Sequence, residues 1–234
     1  MTHERKSHFF AKEDRPESSP YHVFCWRFYG AYAILIRSDN LGSAQTSNMI
    51  YIVLQLLGRD LPSVLIRLGG LFLYFAAIEL TVLLEKRTNI SLKKYALLTE
   101  GICLFILGFL PLTIDPVLGL YPIFFMMSTQ WCVFHGTAGY NSSTIFSTNN
   151  FKQFSLALGN YVSEKDEASH EKMLLFGNSL LFFHIGVAVS FFICRFFQVK
   201  ASFLAIIPLA FALYLVFKEE RLDEKFSELS AQTV

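Results

Sequence analysis

Charge is scarce in this chain. Asp, Glu, Lys and Arg together make up 17% of the 234 residues and the formal net charge is +1, so there is no broad basic field to recruit nucleic acid, and no nucleic-acid partner is expected. Cysteine is almost as thin. The four present, Cys25, Cys103, Cys132 and Cys194, form no CxxC pair and have no His partner at ligand spacing, so they read as small core hydrophobes and no metal site is expected. Catalytic signatures are missing too: no GxSxG elbow, no HExxH helix, no P-loop and no GxGxxG after a strand. No catalytic residue and no cofactor are expected, and the chain does not read as an enzyme. The first 22 residues mix Arg5, Lys6, Lys12 and Arg15 with Glu4, Glu13, Asp14 and Glu17. They hold no apolar stretch before a small-residue cleavage site, so the expectation is that the first span directs insertion.

What the chain has in quantity is apolar length. Hydrophobic residues reach 53%, with 25 phenylalanines, and the apolar stretches are long rather than periodic, as befits a bilayer and not a water-soluble core. Six segments approach the ~17 to 25 residues that cross a membrane: Val23 to Ile36, Leu68 to Leu84, Tyr95 to Thr113, Leu118 to Phe134, Leu174 to Phe197, and Ala201 to Phe217. The first is short and carries Arg27, with Tyr21 and Trp26 placed to seat its start in the headgroup layer. Two shorter stretches, Met49 to Leu57 and Phe151 to Leu158, are too brief to cross alone. Each reads as an interfacial helix, a re-entrant half-helix or part of a broken span.

Both short stretches follow the same polar phrase, Thr46-Ser47-Asn48 and Thr148-Asn149-Asn150, 102 positions apart. The same shift lays Leu54 on Leu156 and Leu56 on Leu158 and matches the long apolar runs of the two halves, so the membrane domain reads as an internal duplication. With the N-terminus inside, the six-span arrangement puts fourteen Lys and Arg on the inner side against five outside. The positive-inside bias then places both termini in the cytoplasm of a multi-pass cell-membrane protein. Three spans per repeat make the copies inverted; were the two short helices to cross fully, the repeats would be parallel and the Lys86 to Lys94 cluster would move outside, against the charge bias. The fold expected is all-α and polytopic: a cytoplasmic tail over 1–22, a membrane domain over 23–217 (repeat one 23–113, repeat two 118–217) with a motif helix in each repeat, and a cytoplasmic tail over 218–234.

The phrase Ser43-Ala44-Gln45-Thr46-Ser47-Asn48, with its second copy at Thr148 and Asn150, resembles the Ala-x-x-Thr-Gly-Asn signature of the YoaK-like family of uncharacterised integral membrane proteins. Gln130, Glu100, Gly186 and Pro208 are similar positions, and the likeness runs from about Phe24 to Phe217. The family's middle glycine is Ser47 in one copy and Asn149 in the other, and the acidic residue near the end of its first span is Gly30 here. The resemblance implies membership and topology, not a reaction.

A Thr-x-Asn at a helix start either caps its own helix or, in an inverted repeat, aims free amides and positive dipole ends from two helices at one cavity suited to an anionic group. Under the second reading the substrate-binding residues are Gln45, Thr46, Asn48, Gln130, Ser147, Thr148 and Asn150. Ionisable groups within spans cost about 2.5 to 3.5 kcal/mol at a helix centre; Glu79 and His184, both near mid-span by counting, are the proton-linked candidates, while Glu100 is read as reaching the cytoplasmic interface. The expected function is a small secondary transporter or channel for a small anionic solute. The alternatives are a non-transporting scaffold, whose motifs merely cap helices, and an intramembrane lipid-active enzyme suggested by His135 and His184. The lipid bilayer is the expected partner, and Gly69, Gly70 and Gly186 would admit close helix contacts within one subunit or in a homo-oligomer.

Overall fold

The structure, a computed structural model, describes residues 20–37, 45–134 and 147–232, excepting the side chains of 20–27, 219 and 222–232. His135, Ser43 and Ala44 therefore lie outside the described residues, as does the side chain of Arg27. The described chain is helical, with no strand. Its α-helices are α1 (Pro20–Ile36), α2 (Gln45–Leu57), α3 (Leu61–Arg87), α4 (Leu92–Phe109), α5 (Tyr121–Val133), α6 (Ser147–Glu164), α7 (Glu167–Phe197) and α8 (Ala201–Gln232). Short 3-10 turns, Leu118–Leu120 and Gln198–Lys200, lead into α5 and α8.

Local chemistry sets most of these limits. Asp60 accepts a hydrogen bond from the Ser63 N–H and Pro62 sits in the first turn, so α3 begins seven residues before the apolar run that announces it. Asp166 caps α7 in the same way through the Ser169 N–H at 2.8 Å. Ser91 caps α4. At its far end α4 stops at Leu110 because Pro111 disfavours helical backbone in the residue before it.

Helix α3 and the continuous helical stretch Glu167–Lys218 are long and apolar enough to cross a membrane. Apolar side chains also cover much of the outside of the described bundle, and several polar ones lie within it. Large apolar side chains such as Leu65, Phe72, Phe196 and Ile207 face outward, whereas Glu100, Ser128, Thr129, Gln130, Ser190 and Ser202 are sealed inside. Lipid solvates such a surface without penalty, and polar side chains then hold helices together within.

The packing is crossed between the halves of the chain. Helix α1 lies against α7, and α5 lies against α3; α4 and α8 pack on one another, while α4 also touches α5 and α8 touches α1. Exchanging α1–α4 for α5–α8 maps this set of partners onto itself. Small residues let the helices approach closely: a Cβ on Gly70 would meet the Phe124 ring, and one on Gly108 would fall 2.3 Å from Phe203. The core that results runs from Phe28, Tyr29 and Tyr32 through Leu97, Leu104 and Leu107 to Met126, Met127, Ala205 and Leu209.

Two hairpins, α2–α3 and α6–α7, are built alike. Each turns through a basic residue in the left-handed region, Arg59 with φ 61° and Lys165 with φ 52°. In each, the next residue is the aspartate that caps the following helix through a serine three positions on.

Candidate functional site

The polar phrases lie in the first turns of α2 and α6, and within each phrase one residue turns inward. Asn48 and Asn150 are buried; Thr46, Ser47 and Thr148 are exposed. Asn48 donates to Gln45 Oε1 at 2.8 Å and to the Arg67 carbonyl at 3.1 Å. The Arg67 guanidinium, 9% exposed, returns a bond to Asn48 Oδ1, donates to Gln55 Oε1, and lies over the Tyr51 ring. A cation in an apolar bundle is tolerable on those terms: Nε and Nη1 find side-chain acceptors and the plane of the fork finds a ring. In the second copy Asn150 donates to Ser179 Oγ at 3.2 Å. The partner lies 19 positions on in the first hairpin and 29 in the second, so the α6–α7 arms are ten residues longer in total.

Each motif helix thus packs on the helix that follows it, and α2 and α6 do not form a packed pair with one another. Ser147 is half-buried at the α6 start. Glu79 and His184 sit on exposed positions of α3 and α7, helices that likewise do not form a packed pair. The His184 ring Nδ1 bonds to the Leu180 carbonyl of its own helix. Glu100 is the correction: it does not reach an interface but is 0% exposed. Helix α4 begins at Leu92, which puts Glu100 about 12 Å along the axis, enclosed by neighbouring helices.

There Glu100 meets Gln130, the one expected substrate residue that the fold carries to the centre. Gln130, itself 0% exposed, donates from Nε2 to Glu100 Oε2. Tyr29 of α1 is the second polar neighbour of the carboxyl. The centre accordingly draws on α1, α4 and α5, at the seam where the two halves interlock. Around it α5 is softened: Ser128 Oγ donates to the Phe124 and Phe125 carbonyls and Thr129 to that of Phe125, bonds that compete with the helix's own. Beside it, a groove of about 410 Å³ opens between α3, α4 and α5, lined by Leu73, Ile102, Ile106 and Phe125, with Thr99 and Cys103 at its wall.

A second buried cation has a structural task. Arg37, 1% exposed, donates to the carbonyls of Leu110 and Pro111 at 3.2 and 3.0 Å. It closes the C-terminal end of α4, where free carbonyls and the negative dipole end favour a cation. Among the described residues no cluster of His, Cys, Asp and Glu could hold a metal ion.

Residues 24–216 match the family described as protein of unknown function DUF1275. The chain belongs to the DUF1275 family. The matched region takes in both motif helices, the crossed packing and the Glu100 centre. Neither the curated proteins nor the solved structures give a match. DUF1275 membership agrees with the YoaK-like resemblance and assigns no activity, so the site's chemistry has to be argued from its residues.

Proposed function

We propose that this DUF1275 chain is a six-span protein of the cell membrane, folded as two inverted three-span repeats with both termini cytoplasmic, and that it works as a small secondary transporter. The observation that carries this reading is the carboxyl of Glu100, sealed with Gln130 at the junction of the two halves. Intramembrane ionisable groups are costly and mark pathways for solutes or ions. The reciprocal packing and the paired hairpins support a duplicated unit, and rocking of one repeat against the other is the motion such a unit allows. The exposed hydroxyls of Thr46, Ser47 and Thr148, at helix starts whose asparagines are anchored, keep a small anionic solute as the class to screen first.

Purified protein in proteoliposomes tests the reading through uptake of a panel of small anions, with and without an imposed pH gradient. Flux that Glu100→Gln reduces supports it; no flux of any member, with wild type and Glu100→Gln indistinguishable, sinks it. Cysteines introduced at Ser43 and Ser147 should label from opposite faces of the membrane if the repeats are inverted, and from the same face if they are parallel.

A scaffold without transport is the second reading, and the Asn48–Arg67 and Asn150–Ser179 ties favour it, because they spend the motif asparagines on holding hairpins together. Under that reading Thr46→Ala and Asn150→Ala alter stability alone. The lipid-active enzyme draws its remaining described residue, His184, from an exposed position bonded to its own backbone; product formation lost in His135→Ala would promote it.

A further inference from the structure

One buried oxygen at the centre lacks a donor. By donor–acceptor geometry Oε1 of Gln130 has no partner, although Gln130 Nε2 already donates to one carboxyl oxygen of Glu100 and the Tyr29 hydroxyl is the carboxyl's other hydrogen-bonding neighbour. A carboxylic acid and a primary amide satisfy each other completely when the amide N–H meets one carboxyl oxygen and the acid O–H meets the amide oxygen. A proton on the carboxyl would supply the donor that the Gln130 oxygen lacks. With the proton gone, the N–H bond to Oε2 remains and the amide oxygen loses its donor. Gln130 is therefore built to hold the carboxyl in both states, more tightly in one.

From this we infer that Glu100 carries an exchangeable proton, read by Gln130, and that this proton is the coupling ion of the transport proposed above. The inference rests on that reading for the word coupling, and on the geometry alone for the proton. Few groups compete for the role. Facing the carboxyl are Tyr29 from α1 and Cys103 from the next turn of α4. Helix α5 presents the neutral Gln130, α8 presents Leu209 against Gly101, and α3 contributes Tyr74 to the same core. The 3-10 turn beside α4 ends in Lys200, which is exposed. Among the described residues no Lys, Arg or His pairs with Glu100, so neutralising it in the apolar bundle falls to a proton. Glu79 and His184 lack that enclosure, which moves the proton-linked role from them to Glu100. In the step itself a proton from water on one side adds to the carboxylate, forming O–H, and leaves as that bond breaks toward water on the other; nothing is oxidised or reduced.

The test is infrared difference spectroscopy of the full chain in liposomes, titrated with pH, alongside a trapped pH-sensitive dye that reports proton entry under an imposed gradient. A protonated-carboxyl C=O band that disappears as pH rises, is absent in Glu100→Gln and shifts in frequency in Gln130→Leu is the expected result. Dye response falling at least tenfold in Glu100→Gln is expected with it. Glu100→Gln can keep an amide–amide pair with Gln130; if it does not fold, ¹³C-labelled glutamate with the Gln130→Leu shift makes the same assignment. A Glu100 band that stays constant over every pH at which the protein remains folded overturns the proton. A titrating band without flux of any solute keeps the proton and removes the transporter, whereas anion flux indifferent to Glu100→Gln and to the pH gradient keeps the transporter and removes the coupling.

Discussion

Asn48 and Arg67 bind each other in both directions: the asparagine amide donates to the arginine's backbone carbonyl at 3.1 Å, and the guanidinium donates to the asparagine's side-chain oxygen at 3.3 Å. In the second hairpin Asn150 faces the neutral Ser179. The same residue type at the same point of two like-built hairpins therefore does unequal work.

That inequality is measurable. Asn48→Ala leaves a buried cation short of an acceptor and should cost about 2 to 3 kcal/mol, whereas Asn150→Ala removes a bond between neutral groups and should cost about 0.5 to 1.5 kcal/mol. Unfolding of the two variants in the same detergent checks the order. Equal losses, or a larger one for Asn150→Ala, would contradict the account of the Arg67 clamp.

Helix α4 depends on Gly108. A methyl there would lie 2.3 Å from the Phe203 ring of α8, and Phe203 is itself packed edge-on against Phe109 with centroids 5.3 Å apart. Gly108→Ala should destabilise by about 1 to 3 kcal/mol, as overpacking does. Gly159→Ala, with nothing within 4 Å of the added carbon, should be neutral or mildly stabilising. Paired melting curves separate these outcomes.

The pH response of the α7 start follows from Asp166. Hydrogen bonds from Ser169, through its side chain and its backbone N–H, hold the carboxyl below the usual aspartate range. A depressed folded value stabilises at pH above the unfolded value, and that contribution is lost as pH falls through the folded one. Amide exchange in the first turn of α7 should therefore quicken on acidification, and Asp166→Asn, which keeps an acceptor, should flatten the dependence. An acid response unchanged by the substitution would place the sensitive group elsewhere.

The elements were legible from apolar length alone, but their limits and their facing were not. Expected starts at Leu68 and Leu174 fall inside α3 and α7, because Asp60 and Asp166 carry those helices into polar sequence that hydropathy discounts. The pair Arg59-Asp60-x-x-Ser63 and Lys165-Asp166-x-x-Ser169 was a second signature of repetition open to a sequence reader. It was masked by four residues added between the motif and the turn, which set these positions 106 apart and out of the 102-residue register. Arg37 and Arg67 count as loop charges until the fold closes over them. Glu79 and His184 fall near mid-span by counting, yet helices apolar on all sides give no sign of which face turns inward. Gln130 is expected in a shared polar site with the motif residues and not beside Glu100, whose depth is counted from Tyr95 and not from the Ser91 cap.

The crossed arrangement bears on how the protein is made. Helix α1 finds its partners in α7, α8 and α5, through Ser190 to the Phe28 carbonyl and Tyr32 to that of Val199. A ribosome must therefore emit more than seventy further residues before the first helix has anything of its own chain to settle against. Until then α1 has no partner within its own chain. A chain cut between the halves should leave two fragments that are each unable to mature alone and that regain form when synthesised side by side.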